Sequence, residues 1–245
     1  MIAETAADPG LAALAARYRL SKERQEALAC YAALLLEWNQ KVNLISRRNP
    51  GEIWERHMLD SAQLLEALPA ASPDRPLRLA DLGSGGGFPG MVLAILGAGD
   101  VHLVESDGRK AAFLEAVSRE TGVAVTIHAE RIEALAPLKA DCVTARALAK
   151  LPKLLGYVAR HLVPGGRALL LKGRTREGEL TLALQQWSMS LRERPSLSDP
   201  ESALLVIEDL AAKTRSRAQD VRARDTRARN TRARNTRAKD TRAGE

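Results

Sequence analysis

Apolar residues recur at alternating steps of three and four through Leu28, Tyr31, Leu35, Trp38 and Val42, lining one face of a helix that Ser21 is placed to cap. A second helix is expected from about Gly51 to Leu68, carrying Ile53, Trp54, Met58, Leu59, Leu64 and Leu65, before Pro69, Pro73 and Pro76 punctuate the chain. Residues 1–72 therefore read as an N-terminal helical subdomain. The pattern then changes. A short apolar run at Leu79 to Leu82 enters a glycine-rich turn, and helix and strand alternate: helix Pro89 to Leu96, strand Val101 to Glu105, helix Arg109 to Glu120, strand Val123 to Ile127. A short helical stretch around Ile132 to Leu135 follows. Next come strand Asp141 to Thr144, helix Leu151 to His161, and strand Arg167 to Leu171 entered through Pro164-Gly165-Gly166. Helix Leu180 to Trp187 precedes two last strands, Ser188 to Arg194 and Ala203 to Glu208. Such alternation implies an α/β domain over residues 73–210, a Rossmann-like, mostly parallel doubly wound sheet closed by a C-terminal antiparallel hairpin.

Composition bounds this picture. With 245 residues, 45% of them hydrophobic, the chain can bury a substantial core. No apolar run approaches the roughly 20 residues that span a bilayer, and Glu4 and Asp8 stand where a secretory signal would be basic, so a cytoplasmic location without a membrane partner is expected. Cys30 and Cys142 are too few for a disulfide framework and lack metal-ligand spacing, so no metal is expected. Cys142, inside an expected buried strand, reads as inert.

The formal net charge of +7 is unevenly placed: residues 213–245 hold twelve Lys or Arg against four acids, which leaves the remainder at −1. This tail repeats every five residues, as in Asn230-Thr-Arg-Ala-Arg and Asn235-Thr-Arg-Ala-Lys, and offers almost nothing to bury. Residues 211–245 are expected to be disordered in isolation. They read either as a salt-sensitive RNA tether or as an unselected repeat expansion, and they carry no stacking aromatics.

The chemistry concentrates at Asp81-Leu-Gly-Ser-Gly-Gly-Gly-Phe-Pro-Gly90. Gly85-x-Gly87-x-x-Gly90 matches a dinucleotide fingerprint, but the acid two residues before Gly83 would stand at the mouth of the loop and repel a pyrophosphate. It suits S-adenosylmethionine, which has no phosphate and carries two cationic centres. Glu105, at the end of the second strand, is placed to accept hydrogen bonds from ribose hydroxyls. A nicotinamide-dependent oxidoreductase is the alternative, disfavoured by Asp81 and by the lack of a Tyr-x-x-x-Lys pair after the glycine loop. A catalytically silent RNA-binding module is a third.

Several islands resemble one family: Trp38-Asn39 with Asn43-Leu44, Arg56-His-Met-Leu-Asp-Ser61, the glycine loop through Phe88-Pro89-Gly90, Val104-Glu105-Ser106, Ala129-Glu130-Arg131, Ala145-Arg146-Ala147 and Leu171-Lys172-Gly173. Across about residues 25–208 the chain is similar to the ribosomal RNA small subunit methyltransferase G family, also called glucose-inhibited division protein B. That resemblance implies a class I methyltransferase fold and methylation of N7 of guanine 527 in 16S ribosomal RNA, in the 530 loop of the small subunit, with S-adenosylmethionine as donor. It implies cofactor contacts at Gly83, Phe88, Ala129, Glu130 and Arg146, to which the strand pattern adds Asp81, Gly85 and Glu105. Guanine N7 has no proton to lose, so no general base is required. Arg146, at a strand end, lines the cofactor or approaches the target base. Arg56, His57, Lys110 and Lys172 are candidates for RNA contact, with plain alternatives: a packed histidine, a lock between Arg56, His57 and Asp60, or solvated lysines. A monomer is expected. The family pattern is broken after about Leu210, and the last strand ends in Glu208-Asp209 where a basic end is common.

Overall fold

A computed structural model describes residues 8–46 and 52–213. The expected arginine-rich repeat falls almost entirely outside them. The described chain opens with two helices, α1 (Pro9–Tyr18) and α2 (Lys22–Asn39). The first carries few core positions, only Leu11 and Leu14 being buried, and it went unread in the pattern. Asp8 caps it by accepting from the Gly10 amide at 2.8 Å. Ser21 caps α2 as expected, accepting from the Arg24 amide, and the stripe it predicted buries Leu28, Tyr31 and Leu35 completely.

The expected second helix is not one regular helix. It runs as a π-helical segment over Ile53–Leu59, one turn of α-helix, α3 (Asp60–Ala62), and a 3-10 segment over Gln63–Ala67. Asp60, Ser61 and Gln63 are all buried here, and both Asp60 and Gln63 hydrogen-bond the 196–198 segment. Irregular helix of this kind turns polar side chains inward, and it recurs near functional sites.

Seven strands form one sheet in the order β3-β2-β1-β4-β5-β7-β6. They are β1 (Arg78–Leu82), β2 (Asp100–Val104), β3 (Thr126–His128), β4 (Ala140–Arg146), β5 (Leu162–Lys172), β6 (Trp187–Pro195) and β7 (Ala203–Ala212). The first five pair in parallel and β7 runs antiparallel to β5. The final strand thus inserts beside β5 and leaves β6 at the edge. Between strands lie α4 (Gly90–Ile95), α5 (Gly108–Thr121), α6 (Leu151–His161) and α7 (Arg176–Leu184).

Strand alternation divides the core. Leu79, Leu103, Cys142, Leu169 and Val206 face α1, α2, α4 and α5, while Ala80, Leu82, Val104, Val143, Leu170 and Ile207 face α6 and α7. The N-terminal helices therefore complete one face of the sheet.

Several details differ from the pattern: the helix expected over Leu180 to Trp187 runs over Arg176–Leu184, and Trp187 already belongs to β6. The third strand begins later, at Thr126, because Gly122 ends α5 at φ 70° and the chain must first turn back through Val123 and Val125, which pack on the core. Ile132 to Leu135 forms a turn closed by the Arg131 carbonyl, not a helix. Pro164-Gly165-Gly166 does not precede β5 but lies inside it, where the register with β4 jumps from Ala140–Leu162 to Cys142–Arg167.

Candidate cofactor and substrate cavities

The carboxyl ends of β1, β2, β3 and β4 share one rim, and the glycine loop rises there between β1 and α4. Gly83, Gly85 and Gly87 take φ of 70°, 57° and 93°, a region open to glycine at little cost. The loop is held from inside. Tyr31, wholly buried on α2, donates its hydroxyl to the Gly86 carbonyl. The amides of Gly83 and Ser84 bond Val104 O, those of Gly87 and Phe88 bond Ser84 O, and Met91 N bonds Gly87 O.

Asp81 corrects the sequence reading. Its carboxylate does not stand at the loop mouth; it is fully buried beneath the loop. Oδ1 accepts from Thr144 Oγ1 at 2.8 Å, a contact made possible because Asp81 and Thr144 are register partners in β1 and β4. Oδ2 accepts from the Gly90 amide at 3.1 Å. A dinucleotide is still disfavoured, on a different ground. Asp81 occupies the amide at the start of α4, the preceding Pro89 has no N–H, and the Met91 amide is bonded within the loop, so the helix start lacks the free donors that a pyrophosphate uses. The structure assigns Asp81 to bracing the loop from below.

Burial pushes the Asp81 carboxyl up from 3.8 to about 6, against the opposing hydrogen bonds. A carboxyl raised on folding stabilises the fold below its unfolded value and loses that contribution as pH rises through its folded value. Between pH 4 and pH 7 this group should therefore cost the wild type about 2 kcal/mol. Asp81→Asn removes the dependence, so the stability difference between the two proteins in denaturant melts is expected to change by about that amount across the window. A constant difference would contradict the burial account.

Around the loop lies a cavity of about 470 Å³ lined by Gly83, Gly85, Phe88, Glu105, Lys110, Glu130 and Arg146, among others. Ala129 is exposed beside Glu130 and is not among the lining residues. Glu105 accepts from the Gly85 amide at 2.9 Å through Oε2 and from the Asp107 amide at 2.8 Å through Oε1. Each oxygen keeps a further lone pair for a ligand hydroxyl. The lining fits an adenosine-type cofactor: carboxylates at Glu105 and Glu130, an aromatic ring at Phe88, and a glycine wall where a Cβ on Gly83 would meet Leu148 Cδ1 at 2.5 Å. Glu105→Ala is expected to weaken S-adenosylmethionine at least about tenfold, measured calorimetrically, since it removes an acceptor and the tie on Gly85. An unchanged Kd would remove Glu105 from the site.

A second cavity of about 840 Å³ adjoins the first, and both are lined by Leu44, Arg146, Ala147, Leu148 and Ala149. At the junction Phe88 stacks between Tyr31 and His57, with centroids 5.4 and 5.0 Å apart. The Arg146 guanidinium lies 4.9 Å over the same ring. Arg146 Nη1 donates to the Arg56 carbonyl at 3.0 Å and meets His57 Nδ1 at 2.9 Å, with Asp60 Oδ2 at 3.7 Å. Burial, Arg146 and Arg56 lower His57 to about 4, so the imidazole is neutral at pH 7 and its Nδ1 is the acceptor. Burial likewise lowers Arg146, against the attraction of Asp60, Tyr31 and Asp81.

The remaining candidates separate. Arg56 lines the larger cavity but pairs with Glu52 Oε2 at 2.7 Å. Lys110 lines the smaller cavity. Lys172 lines the larger cavity, where its Nζ is 2.6 Å from Glu179 Oε2 and donates to the Ala149 carbonyl at 3.0 Å, so its charge is paired on that wall. Tyr31 and Thr144 were not candidates from the sequence, and Asp60 was one only for a structural lock with Arg56 and His57. Tyr31 sat in the apolar stripe as core, and Thr144 becomes visible only through strand register.

A family model described as rRNA small subunit methyltransferase G (GidB) matches residues 24–202. The chain is 50% identical over 198 residues to ribosomal RNA small subunit methyltransferase G of Rhodospirillum centenum, spanning 81% of this chain and 90% of that protein. It is 48% identical over 200 residues to the protein of that name from Paramagnetospirillum magneticum, spanning 82% and 94% respectively. A solved structure of an MtNAS variant in complex with S-adenosylmethionine shares the fold, with a TM-score of 0.51, 18% identity and 76% coverage of each chain. Glycine loop, parallel sheet and sequence match agree: the chain belongs to the rRNA small subunit methyltransferase G family, S-adenosylmethionine-dependent enzymes that methylate ribosomal RNA.

Proposed function

We propose that this protein methylates N7 of guanine 527 in the 530 loop of 16S ribosomal RNA. The observation that carries the reading is the meeting of two cavities at Arg146, one suited to an adenosine-type cofactor and the other large enough for a nucleobase. The position and atom rest on the resemblance of the Arg56 to Ser61 and Phe88 to Gly90 islands to the family.

S-adenosylmethionine, when bound, supplies an electrophilic methyl on a sulfonium. Glu105, Glu130, Phe88 and the loop from Gly83 to Gly86 would hold it, and Asp81 and Tyr31 fix that loop. Guanine N7 brings its own lone pair and releases no proton, so the protein's task is alignment and exclusion of water. The residues at the junction suit that task. His57 is committed through Nδ1 to Arg146, Asp81 is sealed under the loop, and Cys142 is buried with its thiol pushed above the ordinary range by burial. None stands as a base or nucleophile toward the cavities.

The test is nucleoside analysis. Small subunits lacking the modification, incubated with the protein and labelled S-adenosylmethionine, should yield label as 7-methylguanosine after digestion. Label in another nucleoside would reject the atom assignment, and absence of label would reject the activity.

A further inference from the structure

Transfer to N7 does not by itself select guanine. Every purine offers a lone pair at N7, so the choice must be made on the edge that carries O6, N1 and N2. Adenine reverses that edge: it has a donor where guanine has the acceptor O6, and an acceptor where guanine has N1–H. A wall that reads guanine needs a fixed donor beside a fixed acceptor, both open to the cavity.

Among the described residues the carboxylates lining the larger cavity are Glu52, Asp60, Glu179 and Asp199. Glu52 pairs with Arg56. Glu179 pairs with Lys172 through Oε2 and accepts from Thr175 Oγ1 through Oε1. Asp199 accepts from the Glu201 amide at 2.9 Å through Oδ1 and from Ser202 Oγ at 2.7 Å through Oδ2. Asp60 uses its oxygens unequally. Oδ1 accepts from Gln63 Nε2 at 2.8 Å, Ser196 Oγ at 3.0 Å and Ser198 Oγ at 2.9 Å. Oδ2 accepts no hydrogen bond from a described residue and has Arg146 Nη1 3.7 Å away.

Arg146 supplies the neighbouring donor. Its Nη1 is anchored on the Arg56 carbonyl and His57, while Nε and Nη2 donate to no described residue. Its side chain lines both cavities, whereas Asp60 lines only the larger. The order matches the ring, where O6 lies between N7 and N1.

We infer that Asp60 and Arg146 select guanine, Arg146 donating to O6 and Asp60 Oδ2 accepting from N1–H. This rests on the N7-guanine reading above. The three donors on Oδ1 fix the carboxylate rotamer so that Oδ2 is presented, and two of them come from the connection between β6 and β7. That connection thereby acts on substrate choice through Asp60.

The test uses the full-length protein, S-adenosylmethionine, and small subunits reconstituted with 16S RNA carrying guanine, inosine or 2-aminopurine at the methylated position. Inosine keeps O6 and N1–H; 2-aminopurine lacks O6 and presents an acceptor at N1. The wild type should methylate inosine within about tenfold of guanine, and 2-aminopurine at least about a hundredfold more slowly. Asp60→Asn can turn an amide N–H toward N1 and should lower the preference for inosine over 2-aminopurine at least about tenfold. Differences in intrinsic N7 nucleophilicity cancel between the two proteins. An Asp60→Asn preference equal to that of the wild type overturns the inference. If the variant does not fold, the wild-type arm decides: equal rates on inosine and 2-aminopurine overturn it, and strong discrimination supports it. A natural product on a base other than guanine overturns this inference and the N7-guanine reading together, whereas a guanine product with unchanged preference overturns this inference alone.

Discussion

A Gly90→Val protein is expected to lose S-adenosylmethionine binding and to melt about 10 °C below the wild type. The first residue of α4 sits against β1 with no room for a side chain: a Cβ there would meet Leu103 Cδ2, and would lie 2.6 Å from Asp81 Cβ and 2.8 Å from Asp81 Oδ2. Neither neighbour can retreat, since both belong to fully buried strand positions. Overpacking of this kind costs about 1–3 kcal/mol. Displacing the Gly90 amide from Asp81 leaves a buried carboxylate short of a donor, a further cost of about 1–3 kcal/mol. For a domain of this size each kcal/mol lowers Tm by about 2–4 °C. Because the same contact pins the loop over the smaller cavity, the candidate cofactor site, binding and stability should fail together. Thermal melts and calorimetric titration check this; a variant with near-wild-type Tm and Kd would contradict the role given to Asp81.

Arg146→Met is expected to lower kcat/KM for methyl transfer by about a thousandfold or more. Methionine keeps much of the stem's bulk over Phe88 but removes every donor at the junction of the two cavities. The Arg56 carbonyl, His57 Nδ1 and Asp60 Oδ2 lose their shared cation, and breaking such a pair in a largely buried setting costs about 3 kcal/mol. A second readout separates mechanism from damage. Burial is the largest cause of the low His57 value and Arg146 the next, so the imidazole should titrate above about 4 in the variant, moving toward 6.5. In the wild type the neutral ring stabilises the fold at neutral pH, and that contribution is lost as pH falls through about 4. Arg146→Lys restores a charge without the fork, so His57 should stay low while activity remains impaired. An imidazole resonance that titrates identically in all three proteins would contradict the arrangement.

The sequence carried the sheet and the cofactor loop clearly, because both depend on local patterns. Apolar runs bounded by turns gave the strands, and α6 begins and ends where its periodicity placed it, at Leu151 and His161. The glycine loop could be read because its conformations demand glycine at Gly83, Gly85 and Gly87. Contacts between distant segments were not legible. Asp81 lies beneath the loop and not at its mouth, because its partner Thr144 is brought opposite it by strand register alone. Lys172 shares the rim as expected, yet Glu179, arriving from α7, neutralises it. Asp60 lies in a helix whose irregular turns direct it toward residues 196–198, far away in sequence, and no periodicity announces that meeting.

We propose that the two joined cavities bring a methyl donor to N7 of one guanine in small-subunit RNA. The most direct measurement is chain cleavage of 16S RNA by borohydride and aniline, which act at 7-methylguanosine. Subunits from cells lacking this protein are treated with the purified chain and S-adenosylmethionine, and the cleavage sites are read by primer extension. One new cleavage is expected, at guanine 527 and read as a stop at its 3′ neighbour, that depends on both protein and cofactor and is absent with Arg146→Met. No new cleavage, or cleavage at another nucleotide, would contradict it.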